Sequence, residues 1–306
     1  MKQTLLLLVL FCQMIAHAGV MPEPQVVKIN PHVYALLGPL GRPSPHNQGY
    51  MVNSTVIIGE NGVILIDSGG SDEVGGQLAK TIAKITPKPI THVINTHHHG
   101  DHHLGNIVFK GAEILGSEQC RILVEKTGDE WVTLMESLIG RKLPNTRPIS
   151  PGITFPDKSH STRKIEGIKL IFWVPPGAHT PGDMMIYLPD DKVLISGDIL
   201  VNTIVPNLRD ANIKNWIGVL EKIQEWDITT IIPGHGPLMT QTDVAKWHKR
   251  LTDFYTGVEA GYKKGLSDSE IRSTLGLSEW QKMKEFDSTM GANINRAYLE
   301  IEAANF

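Results

Sequence analysis

The order of predicted strands and helices is nearly the same in the two halves of the chain, and this repetition restricts the fold more than any other feature. In each half, a hairpin precedes a strand that ends at an aspartate, and a helix then leads to a strand that ends at a histidine. These intervals run from Asp67 to His97 and from Asp198 to His235. Two sheets packed together, each covered by helices on its outer face, would bury the apolar residues of both halves. We therefore predict an α/β fold with two packed sheets.

Apolar periodicity places the individual elements. In the first half it predicts strands over residues 33–37, 48–52, 55–58, 63–66 and 91–95, with a helix between the last two. In the second half it predicts strands over residues 168–174, 185–188, 192–195 and 229–232, again with a helix between the last two. A helical C-terminal extension begins at about residue 241, and we expect it to cap the sandwich.

The first residues have the composition of a targeting segment. Lys2 precedes an apolar run over residues 5–12, and Ala16 and Ala18 are small residues of the kind that a signal peptidase recognises. We predict a signal peptide over residues 1–18 and therefore a periplasmic or secreted protein. The apolar run is too short for a membrane span, and no later segment is long enough. Because no linker rich in proline, glycine or serine divides residues 19–306, we predict a single domain there.

The composition argues against several classes of protein. The formal net charge is −3 and there is no basic run, which argues against nucleic-acid binding. Two cysteines are too few for a disulfide-rich scaffold. By contrast, 13 histidines are unusual for 306 residues, and several of them follow predicted strands.

Four potential metal ligands lie close together after the strand predicted over residues 91–95. They are His97, His99, Asp101 and His102. Imidazole nitrogens and carboxylate oxygens together suit Zn²⁺. In extended backbone the side chains of His97 and His99 point the same way, and Gly100 permits a sharp turn that directs the next two elsewhere. The alternative for this segment is a solvated, histidine-rich loop.

Three more potential ligands follow other predicted strands, namely His179, Asp198 and His235. Each is weak evidence by itself, because a lone histidine is usually a hydrogen-bonded structural residue. Their positions at corresponding edges of the two predicted sheets favour a common site. Five histidines and two aspartates are enough for two metal ions per chain.

Other residues are expected to shape the core and the substrate site. We predict core positions for four tryptophans, Trp131, Trp173, Trp216 and Trp247. Substrate specificity is expected to come from loops over residues 38–47, 128–160 and 202–210.

Over residues 33–238 the sequence resembles the metallo-β-lactamase superfamily. The resemblance depends on five segments in order: Ile66-Asp67-Ser68-Gly69, Thr96 to His102, His179-Thr180-Pro181-Gly182-Asp183, Gly197-Asp198 and Pro233-Gly234-His235-Gly236. It implies an αβ/βα four-layer sandwich of two mixed sheets, with the metal site between them. The stretch over residues 179–198 is most similar to exported members known as quinoprotein relay system zinc metallohydrolases.

The resemblance also implies the roles of the site residues. It assigns His97, His99 and His179 to a first zinc ion. It assigns Asp101, His102 and His235 to a second, with Asp198 between the two ions. Asp67 matches a position that fixes the ligand loop, and Asp101 is the catalytic residue expected to orient the nucleophile.

The function implied is that of an exported dinuclear zinc hydrolase with a small-molecule substrate. A metal-bridging hydroxide would attack an ester, thioester, lactone or related carbonyl group. His99 stands where di-iron members carry glutamate, and Asp198 is a bridging carboxylate that dedicated β-lactamases lack. The alternatives are a mononuclear iron dioxygenase of sulfur compounds, a promiscuous β-lactam hydrolase and a non-catalytic periplasmic relay partner, so iron remains possible in place of zinc. The sequence identifies neither the substrate nor the oligomeric state.

Overall fold

Two β-sheets face each other at the centre of the fold. The computed structural model describes residues 20–305, so the predicted signal peptide lies outside the described residues. The first sheet contains β1 (Gln25–Lys28), β2 (Val33–Leu37), β3 (Ser54–Ile58), β4 (Val63–Ile66), β5 (Ile90–Ile94), β6 (Glu113–Ser117) and β7 (Ile153–Phe155). The second contains β8 (Ser159–Ile165), β9 (Ile168–Val174), β10 (Met185–Leu188), β11 (Val193–Gly197) and β12 (Thr230–Pro233).

Most of the helices cover the outer faces of the two sheets. The helices are α1 (Asp72–Ile85), α2 (Gly100–His103), α3 (Glu118–Ile139), α4 (Ile213–Ile223), α5 (Gln241–Lys263), α6 (Asp268–Thr274), α7 (Ser278–Gln281) and α8 (Phe286–Ala303). A short 3₁₀ helix, Leu104–Phe109, follows α2 directly. Among residues 20–305, none of the helices combines the length and the apolar character that crossing a bilayer requires.

Both sheets have the same topology in their central part. In the first sheet, β1 to β4 are antiparallel neighbours and β4 to β7 are parallel neighbours. In the second, β8 to β11 are antiparallel and β11 pairs in parallel with β12. Helix α1 connects β4 to β5, and α4 connects β11 to β12 in the same way. The repetition read from the sequence is therefore present in the strand order, and the predicted four-layer αβ/βα sandwich is confirmed.

The alternation of side chains along β4 explains the layers. Ile64 and Ile66 belong to the core between the two sheets, whereas Val63 and Leu65 pack under α1. A strand that is covered on both faces needs an uninterrupted apolar sequence, and all four residues of β4 are buried. The second sheet follows the same rule, because its outer face packs against α4 and the C-terminal helices.

The C-terminal helices begin where the sequence predicts the extension. Helix α5 starts at Gln241, and a capping box formed by Thr240 and Asp243 satisfies its first backbone N–H groups. Trp247 of α5 and Met290 of α8 share the apolar core that covers the second sheet with Trp216 of α4. These helices therefore pack against the sandwich itself.

Two sequence predictions about secondary structure are wrong. Residues 48–52 form a loop, because Gln48 (φ 53°) and Gly49 (φ 79°) lie in the left-handed region, which no strand contains. Their apolar neighbours are nevertheless buried against the first sheet. The predicted loop over residues 128–160 is also wrong in part, because residues 128–139 belong to α3 and residues 153–155 form β7. The apolar residues of this helix face two directions, so they do not give a single periodic stripe.

The close approach of the 3₁₀ helix to the end of β4 can be tested by adding one methyl group. A Cβ at Gly105 would lie 2.0 Å from the carbonyl oxygen of Ser68, and backbone cannot move aside cheaply. We expect Gly105→Ala to lower the free energy of unfolding by about 1–3 kcal/mol. The control is Gly76→Ala in α1, where a Cβ meets nothing within 4 Å and should raise that free energy by about 0.5–1 kcal/mol. Equal stabilities of the two variants in urea unfolding would contradict this packing.

Candidate metal centre

The seven predicted ligand side chains lie together at one end of the sandwich. They come from the segment after β5, from α2 and from the loops after β9, β11 and β12. Potential ligand atoms of His97, His99, His179 and Asp198 all lie within 4.8 Å of one another. Those of Asp101, His102 and His235 form a second group with the same spacing. The structure thus brings together all the residues that the sequence singled out, in the same two groups.

Asp67 positions the ligand loop after β5. Its carboxylate accepts hydrogen bonds from the backbone N–H of Thr96 (2.9 Å) and the hydroxyl of Thr96 (2.8 Å). It also lies 2.8 Å from Nδ1 of His102. The backbone of Asp67 is left-handed (φ 59°), a conformation that costs a non-glycine residue on the order of 1–3 kcal/mol. The hydrogen bonds hold Asp67 in that conformation and turn Nε2 of His102 towards the cluster.

In two other histidines, the ring nitrogen that faces away from the cluster lies within hydrogen-bond distance of an oxygen atom. Nδ1 of His235 is 3.0 Å from the carbonyl oxygen of Met51, and Nδ1 of His97 is 3.1 Å from the Thr96 hydroxyl. In each ring this directs Nε2 inwards. A hydrogen bond at one ring nitrogen fixes the tautomer and leaves the other free to bind a metal ion.

Several inward atoms have no hydrogen-bond partner among residues 20–305. They include Nε2 of His97, Nε2 of His102 and Oδ1 of Asp198. A buried polar atom without a partner costs about 1–3 kcal/mol, so such atoms are rare in folded proteins. Two divalent cations, one in each group, would satisfy these atoms, because imidazole nitrogens and carboxylate oxygens are their usual ligands. The residues therefore fit the divalent metal that the resemblance implies.

Two histidines of the first group, His97 and His179, are held uncharged. Burial lowers the pKa of His97 well below its ordinary value, and repulsion from His102 and His99 lowers it further. Burial likewise lowers the pKa of His179 to about 3. Neutral imidazole is the form that binds a metal ion, so these two side chains are in the binding form.

The second group has a different charge balance. Burial would raise the pKa of Asp101, but the nearby charges of His102, whose Nε2 is 3.4 Å away, and His235, whose Nε2 is 3.2 Å away, hold it well below its ordinary value. Burial would lower the pKa of His235, but Asp198 and Asp101 raise it to about 10. The carboxylates thus retain protons on these imidazoles, and a bound cation would replace those protons.

A glycine makes room for Asp198. A Cβ at Gly234 would lie 1.9 Å from Oδ1 of Asp198, so only glycine fits between β12 and that carboxylate. Oδ2 of Asp198 lies 3.5 Å from Nε2 of His179 and 3.4 Å from Nε2 of His235. Asp198 therefore faces both groups.

Sequence reasoning missed Asp210, which contacts the cluster directly. Its Oδ2 lies 3.0 Å from Nε2 of His99, whose other nitrogen, Nδ1, is 3.1 Å from Nε2 of His179. Burial would raise the pKa of Asp210, but hydrogen bonds with His99 and Arg209 hold it well below its ordinary value. Asp210 therefore orients His99 as Asp67 orients His102. No local motif marks this residue, because its partner lies 111 positions earlier.

The core prediction is wrong for one of the four tryptophans. Trp173, Trp216 and Trp247 are buried, but Trp131 is half-buried and lies beside the metal centre. Its ring centroid is 4.8 Å from that of His99, and the guanidinium of Arg209 lies 5.2 Å from it. Trp131 lies on the face of α3 that lines the cavity, and that face does not pack against a sheet.

A cavity of about 320 Å³ opens over the cluster. His99, Asp101, His179, Asp198 and His235 form its polar side. Its other walls come from α3, from residues 201–206 and from the arginines at positions 42 and 209. Small-molecule sites typically have volumes of about 300–1,000 Å³, so the cavity is at the lower end of that range.

The sequence model of the metallo-beta-lactamase superfamily matches residues 47–235. The chain belongs to this superfamily. The match includes all seven candidate ligand residues of the cluster. Among curated proteins, the linear primary-alkylsulfatase of Pseudomonas sp. (strain ATCC 19151) is 27% identical to this chain over 211 residues. That alignment covers 57% of this chain and 39% of the alkylsulfatase, so the chain spans well under half the length of that relative.

Solved structures show the same fold. The metallo-beta-lactamase from Pontibacter korlensis superposes with a TM-score of 0.60 at 23% identity, covering 75% of this chain and 99% of that one. The stereoselective inverting sec-alkylsulfatase Pisa1 from Pseudomonas sp. superposes with a TM-score of 0.67 at 18% identity, covering 90% of this chain and 50% of that one. The resemblance to the superfamily and the fold it implies are thus confirmed.

The contribution of Asp67 can be tested by removing its charge while keeping its shape. In Asp67→Asn the amide would donate to Nδ1 of His102 and leave a proton on the inward nitrogen. We expect zinc affinity to fall about 10- to 100-fold in competition with a chromophoric chelator.

The matched control is Asp191→Asn, which alters a second aspartate–histidine pair. Asp191 lies 3.1 Å from His32 and precedes β11, at the opposite end of that strand from Asp198. This control should bind zinc like the unaltered protein. Equal zinc affinities of the two variants would show that Asp67 does not orient a ligand.

Proposed function

We propose that this chain is a metal-dependent hydrolase that holds two zinc ions and cleaves an ester, thioester, lactone or related carbonyl substrate. The observation that carries the proposal is the convergence of five histidines and two aspartates, in two groups, on one side of a small cavity. Membership of the metallo-beta-lactamase superfamily supports it.

The two groups divide the ligands between the two ions. His97, His99 and His179 would hold the first ion, and Asp101, His102 and His235 would hold the second. Asp198 would be shared, since its Oδ2 lies within 3.5 Å of a nitrogen from each group. A shared carboxylate keeps two cations close by offsetting their mutual repulsion.

Zinc, when bound, supplies Lewis acidity and lowers the pKa of a water molecule. The chain supplies a hydrogen-bond acceptor beside that water molecule. Asp101 lines the cavity, and its Oδ2 lies 3.2 Å from Nε2 of His235 and 3.4 Å from Nε2 of His102. Because these imidazoles hold the pKa of Asp101 low, the group is a carboxylate and accepts hydrogen bonds. Asp101 would therefore accept a hydrogen bond from an attacking water molecule and orient it.

A sulfate ester is the second candidate substrate. The match to a linear primary-alkylsulfatase favours it, as does the apolar lining of the cavity. Both candidates are esters whose cleavage places negative charge on oxygen, which the same cationic centre would stabilise. Initial rates on p-nitrophenyl acetate, a thioester, a lactone, an alkyl sulfate and a β-lactam, all with one preparation of known metal content, separate these classes. Turnover of none of these substrates would contradict the proposal.

The proposed location is the periplasm or the exterior of the cell. The support is the targeting composition of residues 1–18. Fractionation of cells that express the full chain tests it, and recovery of uncleaved protein with the cytoplasmic markers would contradict it.

Metal removal should abolish hydrolysis because both the water and the electrophile depend on the cations. We expect dialysis against a chelator to eliminate turnover and two zinc equivalents per chain to restore it, with metal measured by plasma mass spectrometry. Activity that survives complete chelation would refute the mechanism. One iron per chain with oxygen consumption would instead support the dioxygenase alternative.

Replacement of the shared carboxylate should change the metal stoichiometry. We expect Asp198→Ala to lower bound zinc from two ions per chain towards one, since one ligand is removed from each group. Asp191→Ala is the control, because this aspartate contacts Asn30 and His32 at the opposite end of β11 and should leave two zinc ions bound. A count of two zinc ions in Asp198→Ala would remove this residue from the site.

A further inference from the structure

Helix α3 presents apolar side chains to the cavity while leaving them partly in water. Leu134 and Leu138 are each 38% exposed, and both line the cavity with Trp131. The spacing of three and four residues places the three side chains on one helical face. Exposed leucines on a surface are ordinary one by one, but a row of them beside a reactive centre marks a place where a ligand covers them.

The opposite wall is apolar and fixed in place. Ile204, Val205 and Pro206 line it. The N–H of Val205 donates to the carbonyl oxygen of Lys284 at 2.9 Å, and the side chain of Asn293 donates to the carbonyl oxygen of Pro206 at 2.9 Å. Because the C-terminal region binds these polar backbone atoms, the wall offers carbon atoms to the cavity. The wall exists before any ligand binds.

The arginines at the cavity are already paired. Nε of Arg42 lies 3.4 Å from Glu285, and Arg42 also donates to the hydroxyl of Thr289 at 2.6 Å. Arg209 lies 3.1 Å from Asp210. Each positive charge is thus balanced by a carboxylate of the chain itself. Away from the metal centre, the cavity therefore lacks an unbalanced charge to attract a second ionic group.

We propose that this cavity binds the hydrocarbon chain of an amphiphilic substrate, with the chain lying between α3 and residues 201–206. The reactive polar end of the same molecule lies at the metal centre, which forms the polar side of the same cavity. The inference rests on the proposed function for the reaction at that end. It adds that the substrate carries an alkyl or acyl chain, and that Leu134 and Leu138 determine specificity by contact with it.

A series of n-alkylphosphonates with one, four, six and eight carbons tests the inference by binding alone. These compounds are not hydrolysed, and they share one anionic end that a metal centre binds. We expect affinity for the zinc-loaded protein, measured by titration calorimetry, to rise about two- to fourfold per methylene. A flat series would overturn the inference.

Variants of α3 localise the effect. Leu134→Gln and Leu138→Gln should each weaken octylphosphonate on the order of tenfold and leave methylphosphonate unchanged. Ile122→Gln is the matched control, since Ile122 is on the same helix, is 42% exposed and does not line the cavity. All three replaced side chains are partly exposed, so circular dichroism should show an intact fold. An equal effect of the control and the leucine variants on octylphosphonate would overturn the assignment to this face.

The inference and the proposed function can fail separately. If affinity depends on chain length but none of the carbonyl or sulfate esters is cleaved, the hydrocarbon site stands and the hydrolase proposal fails. If esters are cleaved with the same kcat/KM at every chain length and the phosphonate series is flat, the hydrolase proposal stands and the hydrocarbon site is refuted.

Discussion

The candidate metal centre depends on the hydrogen bonds of one buried carboxylate, that of Asp67. Asp67 is 2% exposed, and burial of a charge is costly unless hydrogen bonds replace the lost water. Thr96 supplies two of these hydrogen bonds and His102 contacts the same carboxylate. Through them, the end of β4 fixes both the start of the ligand loop and the direction of one imidazole. The strained backbone at Asp67 persists because these contacts outweigh its cost.

The sandwich divides the site between its two sheets. The first sheet supplies the segment from His97 to His102, and the second supplies His179, Asp198 and His235. Because every ligand follows the end of a strand or lies in the short α2, packing of the two sheets sets the distances between the groups. The C-terminal helices extend this arrangement, since their contacts with residues 203–206 fix one wall of the cavity. A rigid polar centre beside a preformed apolar wall suits a substrate with two unlike ends.

Much of the fold was predictable because short segments of the sequence mark its individual strands and helices. Strands such as β2, β4, β9 and β10 were predicted to the residue, since short apolar runs between turn signals mark them. The candidate ligands that the structure brings together were predictable for the same reason, because four lie in one short segment and three follow recognisable strands. The prediction of α3 failed because its apolar residues serve two surfaces, one facing the core and one facing the cavity.

The sequence by itself determined the order of the elements, the two-sheet sandwich and the seven residues of the candidate site. Only the tertiary structure decided what surrounds them. It placed Asp210 against His99, moved Trp131 from the expected core to the cavity, and brought Leu134 and Ile204 to the lining of the same cavity. Periodicity and motif spacing report on neighbours along the chain. Contacts between residues a hundred positions apart depend on how the loops and C-terminal helices pack on the sheets, and no local pattern records that packing.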